Sequence, residues 1–228
     1  MFAAHVGAAL AIGRAERRVN VVVFVIAALL LDVLLWLFVL LGWESVTIPA
    51  HFASTHQPAF VFPYSHGLLA SVVWSALAGA VAFLWAPRVG ALKRRVAALV
   101  AAAVFSHWLL DVLVHVPELP LAGARSMKMG LGLWQRMPVA LVAEAAIVVA
   151  GLCLFVPGAH LSRARKLGLT VLTLVMLALT VVGMTLAPPP PSAMAMAGSS
   201  LLTLIVVIAL VCWIGRAPNE KRVSAPPR

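Results

Sequence analysis

His107, Asp111 and His115 stand four residues apart inside the apolar run 106–115. On an α-helix residues at that spacing share one face, drifting by about 40° and climbing about 6 Å per step. An Asp deep in a membrane segment costs about 3 kcal/mol on insertion scales, so it normally faces a partner, a cavity or an ion. A histidine and a carboxylate one turn apart are metal-ligand chemistry or a proton relay. Taken alone, they fit a His–Asp hydrogen bond joining two helices equally well.

The elements that must position these groups are membrane helices. The chain is 63% hydrophobic and 11% charged, with mean hydropathy +1.06, far beyond a soluble globular average. Its net charge of +10 is carried in short basic clusters between apolar runs, the pattern of orientation signals, and this excludes nucleic acid as a partner. Fourteen of the 17 Lys and Arg fall on one side of the expected topology, leaving Arg125, Lys128 and Arg136 on the other. By the positive-inside rule the first side is cytoplasmic. The expected fold is an all-α polytopic transmembrane bundle with six long spans, a short N-terminal half-helix and a cytoplasmic C-terminus in the inner membrane.

The spans are expected at 19–41, 66–85, from the basic turn 87–95 to about 115, 138–156, from 167 to 186, and 199–214. Residues 1–135 hold the metal-site part, 136–215 the three further spans, and 216–228 a disordered cytoplasmic tail. No cleavable signal peptide is expected, because the charges follow the first apolar stretch. That stretch, 1–13, is about 20 Å long as a helix, too short for a hydrocarbon core of about 30 Å. It is a surface helix or a half-helix inside the bundle, and His5, its sole polar group, points to the second. Loops 42–65 and 116–135 cap the outer face, with Trp43 and Trp134 in the aromatic belt. Cys153 and Cys212, alone in separate apolar segments, read as core packing. Ser75 and Gly79 form a small-xxx-small pair for close helix packing.

Counting from the nearest basic cluster gives heights of about 21 Å for Asp32, 18 Å for His107, 24 Å for Asp111, 14 Å for His5, 20 Å for Glu144 and 33 Å for His66. Asp32, His107 and Asp111 share a level, whereas His66 falls at the outer mouth. A site of His5, Asp32, His66, His107 and Asp111 joins imidazole and carboxylate without thiolate, which suits zinc first, or manganese or iron. Such a metal lowers the pKa of its water towards about 7 and so makes a nucleophile available. Glu144 or the carboxylate of Asp111 is the candidate catalytic acid or base; against that, Glu144 reads more often as a protonated or helix-bonded acid. His51 and His56 read as solvated loop residues or part of a lid, His115 as interfacial and His160 as structural.

The order of His5, Asp32 within Leu31-Asp32-Val33, Ser-His-Gly-Leu-Leu at 65–69, and Ser-His-x-x-x-Asp at 106–111 before Pro117 and Pro120 resembles the membrane-bound metal-dependent hydrolase family. That family is distantly similar to zinc-dependent phospholipase C. The resemblance implies a divalent metal and a phosphoester substrate. Asp32 stands where the family often has Pro-Asp-x-Asp, and 61–67 departs from its His-Arg-Gly-x-Thr-His-Ser. The missing acid and histidine imply fewer metals, or binding without catalysis. The expected function is hydrolysis of a membrane lipid or small amphipathic ester; the alternatives are a proton- or ion-coupled carrier and a non-catalytic scaffold.

Overall fold

The computed structural model describes residues 2–85 and 90–215, so the tail expected to be disordered and Arg88 lie outside the described residues. In chain order the elements are α1 (Phe2–Gly13), α2 (Val21–Leu40), β1 (Ser45–Thr47), α3 (Phe52–Thr55), β2 (Ala59–Val61), α4 (Leu68–Trp85) and α5 (Gly90–Val114). Then come β3 (Leu119–Pro120), β4 (Lys128–Met129), a 3-10 turn (Leu133–Arg136), α6 (Met137–Phe155), α7 (Arg163–Thr185) and α8 (Ala193–Gly215). Six of these helices are long and apolar enough to cross a membrane. Large apolar side chains such as Leu84, Leu167 and Leu202 point outward, as they must where lipid is the solvent. The protein is an all-α, multi-pass membrane bundle.

α2 is the central helix, packed against α1, α5 and α8, while α4 pairs with α5 and α1 lies along α6. The start of α8 comes earlier than residue 199. Ser192 Oγ accepts from the backbone N–H of Ala195 at 3.1 Å and caps the helix six residues upstream, and Gly198 and Ser199 continue within it. The two outer loops carry short hairpins, β1 with β2 and β3 with β4, that the composition does not announce. Cys153 is exposed on α6, facing outward rather than into the core.

α1 is the half-helix packed inside the bundle, with His5 only 1% exposed. Burying the start of a helix leaves backbone N–H groups without intrahelical acceptors. Glu144 on α6 supplies one: its Oε1 accepts from Ala3 N–H at 2.9 Å and Ala4 N–H at 3.2 Å. Close approach of the two backbones is what makes this bond reachable, and glycine permits it. A Cβ on Gly7 would lie 2.8 Å from the carbonyl oxygen of Ile147. The Ser75 and Gly79 pair works similarly, a Cβ on Gly79 falling 3.1 Å from the Ala97 carbonyl of α5.

Among the described residues, a basic residue of the α1–α2 turn meets the α6–α7 turn, and one at the start of α5 meets the α1–α2 turn. Arg17 bonds the Gly158 carbonyl, Arg95 bonds the Ala15 carbonyl, and Asn20 Nδ2 donates to the Gly215 carbonyl at 2.6 Å. Glu16 sits among them, 2.6 Å from Arg18 Nε and 3.5 Å from Arg95 Nε, and the bond from Arg18 holds its carboxyl below the ordinary carboxylate range. These bonds tie the α1–α2 turn to α5, to the α6–α7 turn and to the end of α8.

Candidate metal centre

His107 and Asp111 lie one turn apart on α5, both buried, with His107 Nε2 3.2 Å from Asp111 Oδ2. α2 brings Asp32, whose Oδ1 is 3.6 Å from the same Nε2. α1 brings His5, with Nε2 3.3 Å from Asp111 Oδ1 and its ring stacked on the His107 ring at 3.6 Å. His66, just before α4, places Nε2 3.1 Å from His107 Nε2, 3.4 Å from Asp111 Oδ2 and 3.8 Å from Asp32 Oδ1. The structure thus brings together all five side chains that the sequence singles out as ligands.

His66 lies deeper than its distance from the basic clusters implies, because Arg95 is not the base of the third span: α5 begins at Gly90 and its first turns carry Lys93, Arg94 and Arg95. Measured from the helix ends at Trp85 and Gly90, His66 and His107 come within about 3 Å of the same level. The outer loop then fixes His66 from above. Phe60 and Phe62 are buried in the bundle, the Phe60 N–H is held by Glu118 Oε2 at 3.1 Å, and His66 N–H donates to the Phe62 carbonyl at 3.1 Å.

Hydrogen-bond partners assign the tautomers of the two facing imidazoles. His107 Nδ1 donates to the Ala28 carbonyl at 2.6 Å, which in the neutral ring leaves Nε2 with a bare lone pair. Glu44 Oε2 accepts from Ser65 Oγ at 2.6 Å, so Ser65 Oγ in turn accepts from His66 Nδ1 at 2.8 Å. His66 Nε2 is then bare as well. Glu44 is well supplied with donors, its Oε1 accepting from Tyr64 N–H at 2.7 Å and Ser65 N–H at 2.8 Å. Burial pushes its carboxyl up, while the bonds from Ser65 and Tyr64 pull it back.

Two lone pairs facing one another at 3.1 Å, between two carboxylates, repel unless a proton or a cation lies between them. Tying the outer nitrogen to a carbonyl or carboxylate-linked group is how metal-ligating histidines are oriented. His5 Nδ1, buried and without a hydrogen-bond partner among the described residues, is a further lone pair that the fold leaves over. The ligand atoms group as His5, Asp32 and His107, and as His66, His107 and Asp111, each trio mutually within 4.8 Å. Both trios need His107 Nε2, and its Nδ1 is committed to Ala28. One lone pair serves one ion, so the arrangement suits a single metal.

The cluster opens on a cavity of about 530 Å³ whose walls include Asp32, His66, Asp111, His115, Trp134 and Glu144. Among the described residues no Lys or Arg lines it. Trp134 lines this cavity, packed on the His115 ring at 4.2 Å. His56 reaches the cavity wall while His51 and His160 are exposed.

Three contributions lie outside the motifs: Ala28, whose part is played by its carbonyl, Glu44, which holds the motif's Ser65 behind His66, and Glu118. Glu118 Oε1 is 2.6 Å from His115 Nδ1, so the carboxylate fixes that imidazole too. The scarcity of acids was the available signal, since the chain has only seven and both Glu44 and Glu118 stand in outer loops.

No family model, no curated protein and no solved structure matches this chain.

Proposed function

We propose that this protein is a metal-dependent hydrolase acting within the membrane on a lipid or other amphipathic ester, with one divalent ion held by His5, Asp32, His66, His107 and Asp111. The observation that carries the proposal is the pair of bare Nε2 atoms of His66 and His107, 3.1 Å apart, each imidazole locked from behind by a separate hydrogen bond. Zinc suits the imidazole and carboxylate donors best, followed by manganese and iron. Bound there, the ion would supply a Lewis acid and a water of lowered pKa.

The chain's own residues divide the remaining tasks. Asp111 sits at the centre of the donor set, close to His5, His66 and His107, and so serves as ligand more readily than as base. Glu144 has its Oε1 occupied by the start of α1 and acts by placing His5. His115, with its Nδ1 proton fixed on Glu118, is the imidazole in the same cavity placed to take a proton from water. With no Lys or Arg on the cavity wall, the charge of a phosphoester would be met by the ion alone. The motif resemblance favours a phosphoester; a carboxylic ester makes no such demand. Sidedness follows the charge rule, with the basic face cytoplasmic.

The test is hydrolysis of a phosphoester and carboxylic-ester panel by purified protein, with and without chelator, beside His107→Ala. Activity that is lost to chelator, restored by zinc or manganese, and absent from His107→Ala is the expected result. Protein that never takes up metal, yet moves protons in vesicles and stops doing so in His107→Ala, would replace the hydrolase by the carrier, with a proton shared between the two imidazoles.

A further inference from the structure

One wall of the cavity has no part in the metal chemistry. On α7, Leu179, Thr180, Gly183 and Met184 line it, and at 100° per residue they fall within an arc of about 140°, with Gly183 inside that arc. On α8, Met196, Ser199, Ser200 and Thr203 line it from an arc of about 100°. None of these side chains is charged. Their hydroxyls are largely turned back into their own helices: Thr180 Oγ1 donates to the Met176 carbonyl at 3.0 Å, Ser199 Oγ to the Met196 carbonyl at 3.1 Å and Thr203 Oγ1 to the Ser199 carbonyl at 2.9 Å. A hydroxyl satisfied in this way presents carbon to the cavity and asks nothing of a ligand.

Gly183 is the position that keeps this wall open. A Cβ built there meets nothing within 4 Å. Close packing cannot be why glycine stands here, in contrast to Gly7 and Gly79. Nor does the helix gain from it, since glycine is a poor helix former.

We propose that the α7–α8 wall holds the apolar chain of a single-chain membrane amphiphile, and that Gly183 sets how long a chain fits. The inference rests on the hydrolase reading for what lies at the chain's polar end: the ester would stand against the Asp32, His66 and Asp111 part of the same cavity. The volume of about 530 Å³ matches one extended acyl chain with a small head and falls well short of a whole two-chain lipid. The uncharged wall and the six membrane-spanning helices make the bilayer the source of the chain.

A hexadecyl ester analogue with a diazirine at the chain end tests this on the full-length protein in lipid nanodiscs. Labelled peptides are mapped by mass spectrometry, with and without excess unlabelled analogue. Labelling of 179–187 and 196–204 that excess analogue competes away is expected in wild type and in Gly198→Leu, an α8 glycine with open space around its Cβ position that does not line the cavity. Gly183→Trp should lose that labelling by about tenfold, with Gly183→Leu intermediate, while an octyl analogue is affected less. Gly183→Leu also guards against misfolding of the larger variant. Labelling that does not saturate, or that is unchanged in both Gly183 variants, would overturn the chain site. Because labelling needs neither metal nor turnover, intact labelling in a protein without metal or hydrolysis defeats the hydrolase reading alone. Hydrolysis without saturable labelling defeats this inference alone.

Discussion

The α7–α8 wall and the α1–α2–α5 centre both hold polar groups inside a membrane bundle, and they dispose of them in opposite ways. On α7 and α8 each bonded hydroxyl donates to a carbonyl three or four residues back on its own helix, as Thr173 does to Leu169 at 2.8 Å. In the centre the bonds run between elements distant in sequence: His107 to Ala28, Ser65 to Glu44, Ala3 and Ala4 to Glu144. Local bonds cost the fold nothing in arrangement and leave a neutral surface. A long-range bond consumes the outer nitrogen of His107, the neighbouring Ser65, itself held by Glu44, consumes that of His66, and the inner nitrogens are left facing each other. The second solution therefore sets His5, Asp32, His66, His107 and Asp111 together as groups that could hold an ion.

The contrast can be broken most severely at Glu144. Glu144→Ala orphans two buried N–H groups at the start of α1, at about 1–3 kcal/mol each, and frees His5 from its place. Thermal unfolding should fall and metal affinity with it, whereas Glu144→Gln, which keeps an acceptor oxygen, should recover much of both. Full stability in Glu144→Ala would mean that α1 needs no anchor.

A smaller effect is expected behind His66. Ser65→Ala removes the acceptor of His66 Nδ1 and should weaken metal binding by about 10- to 100-fold while the fold survives, as measured by competition with a chelator of known affinity. Unchanged affinity would remove the Glu44–Ser65 pair from the site.

The smallest effect belongs to the other region. Thr203→Val deletes a bond made within one helix and should change stability by less than about 0.5 kcal/mol, with metal binding untouched. A loss comparable to that of Ser65→Ala would erase the distinction between the two regions.

Much of this was legible in the sequence. Hydropathy placed the spans, the basic clusters marked one face, and the rarity of ionisable groups in apolar runs singled out His5, Asp32, His107 and Asp111. His66 was found by its motif but misplaced in depth, because the basic residues of α5 sit within its first turns and charge alone does not mark a helix end. Glu144 reads from sequence as a helix-bonded acid more often than as a base, and the buried start of α1 beside it shows what it bonds. The Ala28 carbonyl has no signature, since any residue carries one. The cavity, and with it the meaning of Gly183, arises from packing between α7 and α8 that no local pattern records.

Metal content of protein purified without chelator tests the central claim most directly. The account predicts about one divalent ion per chain in wild type, because both ligand trios share a single His107 lone pair, and none in His107→Ala. Wild-type protein that holds no metal and binds none on addition of zinc, manganese or iron, or His107→Ala that retains a full equivalent, would contradict it.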